Sequence, residues 1–366
     1  SALDSAAGVT STVVGNDGTV VVFSTAAGPA FGGHTTLAAD GTFTLTAGTT
    51  SLHAAIDVAT ATVAGTIAQP GRPESYFSGL ATGTLRTDRL VNFSSRARVG
   101  PAPARTLITG FVIGGPAPKR VLLRAIGPAL ARFGVEAPLA NPKLVLYDAA
   151  GTPLLYNDDW SEAAVADALP QTGAFALAPG SRDAALVATL APGAYTMHVI
   201  DDGDTGVALA EIYDASVNPS GEYQRLVNIS TRGTVEAGEG VLIGGFVVTG
   251  NAPKKVLVRG AGPGLAAYGV AAPLADPALA LYRGSTLVAR NDDWGTPLAL
   301  DATQIAATAT ELDDAARLTG AFAFAAGSQD AAVVVTLPPG AYTAQVTAAD
   351  GTSSGVALVE VYEIPE

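Results

Sequence analysis

Asn157-Asp158-Asp159-Trp160 recurs as Asn291-Asp292-Asp293-Trp294, and these two stretches hold both tryptophans of the 366-residue chain. Each stretch closely follows an apolar run that ends in Leu-Tyr, at residues 144–147 in the first case and 279–282 in the second. Because self-similarity at so long a period exceeds the length of a solenoid repeat, it indicates two copies of one domain.

The duplication extends well beyond the tryptophan stretches. The matching segments are RLVN at 89–92 and 225–228, GFV at 110–112 and 245–247, PGAYT at 192–196 and 339–343, and GVAL at 206–209 and 355–358. The interval from Trp to Tyr is 13 residues longer in the second copy (294–342 against 160–195). This difference predicts an insertion around residues 301–317, helical in pattern and placed on the surface.

Short apolar runs separated by Gly and Pro predict an all-β fold. We expect a small N-terminal β-unit at 1–85, followed by two tandem jelly-roll-like β-sandwich domains at 86–215 and 225–366, with a linker at 216–224. One short helical turn is expected where Pro128 opens a segment that Gly134 closes. The strands predicted in the first copy are 106–113, 119–126, 143–148, 153–157, 173–177, 183–190, 194–200 and 206–213.

Composition narrows the classes of function. Charged residues make up 14% of the chain and the net charge is −13, whereas globular proteins average about 25% charged residues. This acidic balance argues against nucleic acid and anionic membrane surfaces as partners. There are no cysteines, which excludes disulfides and thiolate metal sites, and no apolar run is long enough for insertion into a membrane.

Four charged residues stand inside otherwise apolar strands. Arg124 and Glu211 lie in the first copy, and Arg259 and Glu360 occupy the matching places in the second. Because an unpaired charge in a sandwich core is costly, we expect two structural ion pairs, Arg124 with Glu211 and Arg259 with Glu360.

The order of motifs carries a resemblance to a known family. A strand ending in Leu-Tyr, an Asn-Asp-Asp turn, Pro339-Gly340-Ala341-Tyr342-Thr343 and a closing apolar strand resemble the bacterial pre-peptidase C-terminal type domain, a β-sandwich found at the ends of large secreted bacterial surface proteins. The resemblance covers residues 89–363. It implies secretion, a jelly-roll-like fold, and attachment or binding in place of catalysis, and some members of the family bind Ca²⁺.

The Asn-Asp-Asp-Trp turns are the best candidate site. Calcium prefers several oxygen ligands, so Asp158, Asp159, Asp292 and Asp293 are candidates for a weak Ca²⁺ site. The alternative is a turn whose Asn and Asp side chains bond the nearby backbone. Under that alternative no cofactor is expected, and removing divalent cations leaves the fold intact.

No set of catalytic residues can be assembled from the sequence. His34 and His53 have no acidic cluster nearby, and Gln345 replaces His198 in the second copy, so the fold does not need that histidine. We therefore predict no enzymatic activity, and a hydrolase is the least favoured class. The expected function is a secreted, extracellular structural protein that forms a filament, sheath or surface layer with copies of itself. The alternative is a module of a larger secreted protein that binds carbohydrate or another surface.

The N-terminal region offers a hypothesis for assembly. Residues 9–14 and 19–23 are β-branched runs on either side of Asn16-Asp17-Gly18, a hairpin-type turn signal. A strand near a chain end can pair with an open sheet edge of a neighbouring subunit. Alternatively, both runs complete the sheet of the N-terminal unit itself.

Overall fold

The computed structural model describes residues 2–4, 9–14, 19–24, 31–57, 62–72, 74–80, 89–101, 105–201, 203–216, 224–237, 240–296, 298–299 and 306–365. Antiparallel strands dominate this part of the chain, which confirms the all-β class. None of the helices in these ranges has the length and apolar character needed to cross a membrane.

In the N-terminal unit, the residues that the structure describes form one eight-stranded sheet. Its strands are β1 (Ala2–Asp4), β2 (Val9–Val14), β3 (Thr19–Ser24), β4 (Phe31–Thr36), β5 (Thr42–Ala47), β6 (Thr50–Asp57), β7 (Thr62–Ala68) and β8 (Ser75–Leu80). They lie in the order β4-β3-β2-β1-β8-β7-β6-β5. The two outermost strands approach each other, since a β-carbon on Gly33 of β4 would lie 2.9 Å from a methyl group of Leu45 on β5. Buried Phe43, Leu52 and Phe77 belong to its core.

Both β-branched runs of the N-terminal region belong to this sheet. Strand β2 pairs with β1 and β3, and β3 pairs with β2 and β4. Thr12, for example, is the register partner of Val22. The arrangement is the one expected if these runs complete their own sheet. The Asn16-Asp17-Gly18 turn lies outside the described residues.

Each repeat contributes eight strands within the described ranges. In the first they are β9 (Arg89–Val99), β10 (Leu107–Gly114), β11 (Lys119–Ile126), β12 (Lys143–Asp148), β13 (Pro153–Asn157), β14 (Ala184–Leu190), β15 (Gly193–Ile200) and β16 (Gly206–Asp214). In the second they are β17 (Arg225–Val235), β18 (Leu242–Thr249), β19 (Lys254–Ala261), β20 (Pro277–Arg283), β21 (Thr286–Asn291), β22 (Ala331–Leu337), β23 (Gly340–Ala348) and β24 (Gly355–Glu363).

The two repeats share both of their sheets. One sheet runs β14-β11-β16-β9-β18-β23-β20-β21, so four strands of the first repeat continue into four of the second. The other runs β22-β19-β24-β17-β10-β15-β12-β13. In this sheet the first strand of the second repeat, β17, pairs with the second strand of the first repeat, β10. The first strand of each repeat therefore pairs with the last strand of its own repeat and the second strand of the other.

Large apolar side chains make this junction part of the core. Phe93 of β9 is the register partner of Phe246 of β18, and Phe111 of β10 is the partner of Ile229 of β17. All four are buried in one cluster that spans both repeats. A layout of two separate sandwiches is thus not confirmed, because the repeats form a single continuous sandwich. Of the expected linker, residues 217–223 lie outside the described ranges.

Helices are few and short. A 3₁₀ helix at Pro128–Phe133 confirms the predicted helical turn, with Gly134 left-handed at φ 74°, and its copy is Pro263–Tyr268. Helices α1 (Glu162–Val165) and α2 (Leu169–Thr172) follow the first tryptophan, and the longer α3 (Ala309–Thr319) follows the second.

Two local predictions change in the structure. The insertion is helical over α3, where Thr308 and Glu311 form a capping box. This helix is more than a surface loop, because it buries Leu312 against the sheet beside Leu257. The strand predicted at 173–177 is wrong: the segment is irregular, and its Phe175 carbonyl accepts a hydrogen bond from Arg124 where a strand would bond a neighbouring strand.

Candidate functional site

The predicted ion pairs occupy equivalent places in both repeats. Arg124 and Glu211 are register partners on β11 and β16, with 3.2 Å between Arg124 Nε and Glu211 Oε2. Arg259 and Glu360 are partners on β19 and β24, at 3.4 Å between the corresponding atoms. All four residues are buried. Each pair is therefore shielded from solvent and serves the packing of its repeat.

Aromatic rings cover the buried guanidinium groups. The Arg124 Cζ atom lies 4.2 Å from the centre of the Phe175 ring, and Arg259 Cζ lies 4.2 and 3.8 Å from the rings of Phe322 and Phe324. Cations gain electrostatic stabilisation over a ring face, more so when they are desolvated. The irregular segments at 173–177 and 320–324 thus provide covers for the two arginines.

Burial and ion pairing act in opposite directions on the pKa of the carboxyl group in each pair. Burial raises the pKa of Glu211, while the charge of Arg124 and a hydrogen bond from the Tyr213 hydroxyl oppose that rise. Burial raises the pKa of Glu360 in the same way, against the opposing effects of Arg259 and Tyr362. The repeated tyrosine therefore supplies a donor that a carboxylate needs at this depth.

A buried aspartate in each repeat binds backbone N–H groups, and the sequence analysis did not predict this contact. Asp183 Oδ1 accepts from the backbone N–H of Gly127 at 2.8 Å and of Ala129 at 3.3 Å. In the second copy Asp330 Oδ1 accepts from Gly262 at 2.8 Å. Each aspartate thereby holds the entry to a 3₁₀ helix. The repeated Ser-x-Asp-Ala-Ala at 181–185 and 328–332 was a usable signal.

The asparagines of the Asn-Asp-Asp-Trp turns tie the two sheets together at their outer edges. Asn157, at the end of β13, accepts from the backbone N–H of Ala185 on β14 at 2.9 Å. Asn291, at the end of β21, accepts from Ala332 on β22 at 3.0 Å. Because β13 and β14 belong to different sheets, as do β21 and β22, each asparagine links the two sheets at one end of the sandwich.

The tryptophans are anchored beside the same turns. Trp160 Nε1 donates to the Ala178 carbonyl at 3.2 Å and to Ser181 Oγ at 3.1 Å. Trp294 Nε1 donates to the Ala325 carbonyl at 3.3 Å. Such local bonding is what the turn alternative expects.

The candidate calcium ligands differ between the repeats. Asp158 Oδ2 lies 3.2 Å from Lys143 Nζ and also accepts from the Tyr156 hydroxyl at 3.2 Å. Asp159 lies next to Asp158 in the turn of the first repeat, and Asp292 and Asp293 lie together in the turn of the second. The two turns belong to different repeats, so the four aspartates do not form one group. Within the described residues no group of three or more His, Asp or Glu side chains is arranged to hold a metal ion.

The second repeat carries an aspartate near its turn where the first repeat has an asparagine. Burial and then the charges of Asp293, Asp292 and Asp350 raise the pKa of Asp276. The equivalent of Asp276 in the first repeat is Asn141, by the match of PLANP to PLADP.

An ionic cluster lies where the two repeats meet. Glu363, on the last strand, accepts from the backbone N–H of Leu90 on β9 at 2.7 Å. Its other oxygen lies 3.2 Å from Arg225 Nε on β17 and 3.9 Å from Lys254 Nζ. In the first repeat Lys119 Nζ lies 2.8 Å from Asp214 Oδ2, with both side chains fully buried. These contacts fix the strand ends around the shared junction.

Two exposed aromatic residues also stand in equivalent places. Phe133 is 58% exposed and Tyr268 is 64% exposed, each at the end of its 3₁₀ helix. The Phe133 ring packs edge-on against Phe175, with 5.0 Å between ring centres, and Tyr268 packs likewise against Phe322 at 5.1 Å. Each exposed ring is thus the outermost member of a stack that ends on the buried arginine.

No protein-family model matches the chain, and no curated protein matches it either. The resemblance to the pre-peptidase C-terminal type domain therefore rests on the motifs of the chain itself.

Proposed function

We propose that the chain is an extracellular structural protein whose copies assemble into a filament, sheath or surface layer. The observation that carries this proposal is the junction between the repeats, where β9 pairs with β18 and β10 pairs with β17. These repeats associate edge to edge, and both sheets grow by four strands as a result. The same mode of association between copies would build an extended body.

Composition and buried chemistry support a structural role. Two buried ion pairs, Arg124 with Glu211 and Arg259 with Glu360, are covered by aromatic rings and engaged with each other. A chain with 14% charged residues presents fewer charged side chains than an average globular protein does. Secretion is the setting that the family resemblance implies.

Electron microscopy of the purified full chain, across a range of protein concentrations, tests this proposal. We expect filaments or sheets with a repeat compatible with the long axis of one sandwich. Sedimentation at the same concentrations should show growth of large species. A monodisperse monomer throughout would contradict the proposal.

A second candidate function is carbohydrate binding, and the exposed aromatic residues favour it. Phe133 and Tyr268 each present an exposed ring that a second ring supports. Exposed apolar patches on a protein surface commonly mark interaction sites. A rigid apolar ring next to donors such as Arg132 suits the face of a sugar ring, and Arg132 Cζ lies 5.0 Å from the centre of the Phe133 ring.

Binding of the full chain to an array of neutral and acidic glycans tests this candidate. The double variant Phe133→Ala with Tyr268→Ala should lose binding. Tyr76→Ala is the matched control, because Tyr76 is equally exposed at 64% but lies in the N-terminal unit. Equal loss in the control, or no binding by the wild type, would exclude the aromatic pair as a glycan site.

A further inference from the structure

The two ends of the continuous sandwich are covered unequally. At one end β13 is an outer strand with exposed apolar side chains: Leu154 is 44% exposed, Leu155 38% and Tyr156 57%. At the other end β21 occupies the equivalent place, and Ala289, which matches Leu155, is only 7% exposed. The smaller side chain of Ala289 accounts for part of this difference, and a segment that lies over β21 accounts for the rest.

That segment belongs to the insertion of the second repeat. Leu298, Ala306 and Ala307 face residues 288–291 of β21 across a cavity of about 310 Å³. Helix α3 closes the same side through Leu312. The first repeat has only the short helices α1 and α2 in the corresponding interval. Among the described residues, the insertion covers one end of the sandwich, and no comparable segment covers β13 at the other.

Leu155 in particular faces the interior side of its sheet. Its register partner on β12 is Leu146, which is fully buried in the core. Side chains of directly opposite residues lie on the same face of a sheet. Leu155 is therefore a core-side residue at an edge where the core is open to solvent, and exposed apolar edge strands pair readily with another chain.

We propose that β13 is the contact between two copies of this chain, paired antiparallel with β13 of the second copy. This inference rests on the proposed self-assembly and names its first interface. Full overlap of the five-residue strand centres the two-fold axis on Leu155. It sets Leu154 of one copy opposite Tyr156 of the other, an apolar–aromatic pair of the kind that stabilises sheets. Pro153 stands at the first position of the strand, where the missing N–H is tolerated.

The proposed pairing is of the same kind as the pairing between the repeats. The repeats join edge to edge in both sheets, and β13 is the outer strand, in the first repeat, of the sheet that runs from β22 to β13. A β13–β13 contact would extend that sheet from eight to sixteen strands across two copies. Because a contact between identical surfaces closes on itself, its product is a dimer that serves as the building block of the assembly.

Disulfide trapping of the full chain tests the contact directly. The chain has no cysteine, so a single Leu155→Cys places one thiol at the proposed axis, within the Cα separation that a disulfide accepts. Mild oxidation should give a covalent dimer. Leu318→Cys, on α3 and 65% exposed, is the matched control for random collision. Cross-linking of Leu155→Cys no faster than that of the control would overturn the proposal.

A second variant separates this interface from the proposed function. Leu155→Lys should convert the dimer to a monomer in light scattering, whereas Leu318→Lys should leave it unchanged, with circular dichroism confirming that both remain folded. If the Lys variant assembles as the wild type does, β13 is not the contact, although self-assembly stands. If dimers form through β13 while microscopy shows no larger species, the contact stands and the filament proposal fails.

Discussion

Arg124 and Glu211 face each other on neighbouring strands at the same register position, and both are buried with 3.2 Å between Nε and Oε2. Their copies, Arg259 and Glu360, repeat the contact in the second half of the sandwich. A buried pair contributes little net stability in comparison with apolar residues of similar size. Removal of one partner, however, leaves the other charge buried without a counter-charge, which is strongly destabilising. The pair is therefore a place where single and double substitutions should differ sharply.

Replacement of Arg124 by Met should lower the free energy of unfolding by about 3–5 kcal/mol, because Glu211 then lacks its counter-charge in the core. Adding Glu211→Leu should restore much of that loss. Denaturant titration measures both. The matched control is Arg120→Met on the same strand: its partner Asp167 is 77% exposed, so the expected loss is below about 1 kcal/mol. Equal effects at the two arginines would contradict the burial argument.

Glu211 and Asp350 should make contributions to the free energy of unfolding that change with pH in opposite directions. Burial raises the pKa of Glu211 in the folded state, so its contribution to stability is fully present below the ordinary glutamate pKa of about 4.3. That contribution is lost as the pH rises through the raised folded value. The wild type should therefore lose stability relative to Glu211→Gln as the pH increases from 4.

Asp350 should show the reverse. Hydrogen bonds from Ser353 and Thr352 lower its pKa in the folded state. Its contribution is present above the ordinary aspartate pKa of about 3.9 and is lost as the pH falls. Unfolding curves of Asp350→Asn and the wild type should converge in acid. Parallel pH profiles for the variants at 211 and 350 would show that the two environments do not differ as described.

The sequence allowed the ion pairs to be predicted because the repeat supplied an internal comparison. A charge that recurs at the same place in an apolar strand needs a partner of opposite charge in both repeats. Arg124 and Arg259 recur in this way, and so do Glu211 and Glu360, which made the two glutamates the expected partners. The buried Asp183 and Asp330 had a comparable signal in the repeated Ser-x-Asp-Ala-Ala. They were missed because their partners are backbone N–H groups. Every residue except proline has such a group, so the sequence does not show which ones bind a side chain.

The sharing of sheets between the repeats could not be read from the sequence. Alternation with period two fixes which face of a strand is buried, but it does not name the neighbouring strand. Both edges of β9 are compatible with several partners, and the choice of β18 depends on the packing of Phe93 against Phe246. The strand expected at 173–177 failed for a related reason, since the apolar alternation around Phe175 serves to cover Arg124.

Removal of divalent cations should leave the melting temperature unchanged. Lys143 and the Tyr156 hydroxyl already engage Asp158, and a bound cation would stabilise only the folded state. Calorimetry with chelator, then with added Ca²⁺, measures this. A fall in melting temperature in chelator that Ca²⁺ reverses would make the aspartates ligands. The turn of the second repeat, which has Asp276 near Asp292 and Asp293, would be the first place to look for the bound ion.

The acidic cluster of the second repeat yields a companion prediction. Asp276→Asn copies the residue at the equivalent position of the first repeat, Asn141. Because nearby Asp293 and Asp292 disfavour the charge on Asp276, the substitution should raise the melting temperature at neutral pH. The gain should shrink in acid, where these carboxyl groups become protonated. A loss of stability at neutral pH would show that the Asp276 charge has a favourable partner.

The last prediction concerns the interdependence of the repeats. A chain limited to residues 86–216 keeps β9 and β10 but loses β18 and β17, their partners across the junction. Phe93 and Phe111, which are buried in the full chain, then lie on open edges, and such edges pair with other chains. We expect this single repeat to form a dimer in which a second copy replaces the missing half, since the two repeats share one strand order. Light scattering across a dilution series measures the species present. A stable, folded monomer at all concentrations would show that each repeat is a self-sufficient sandwich, as the sequence first indicated, and that the shared sheets contribute little to its stability.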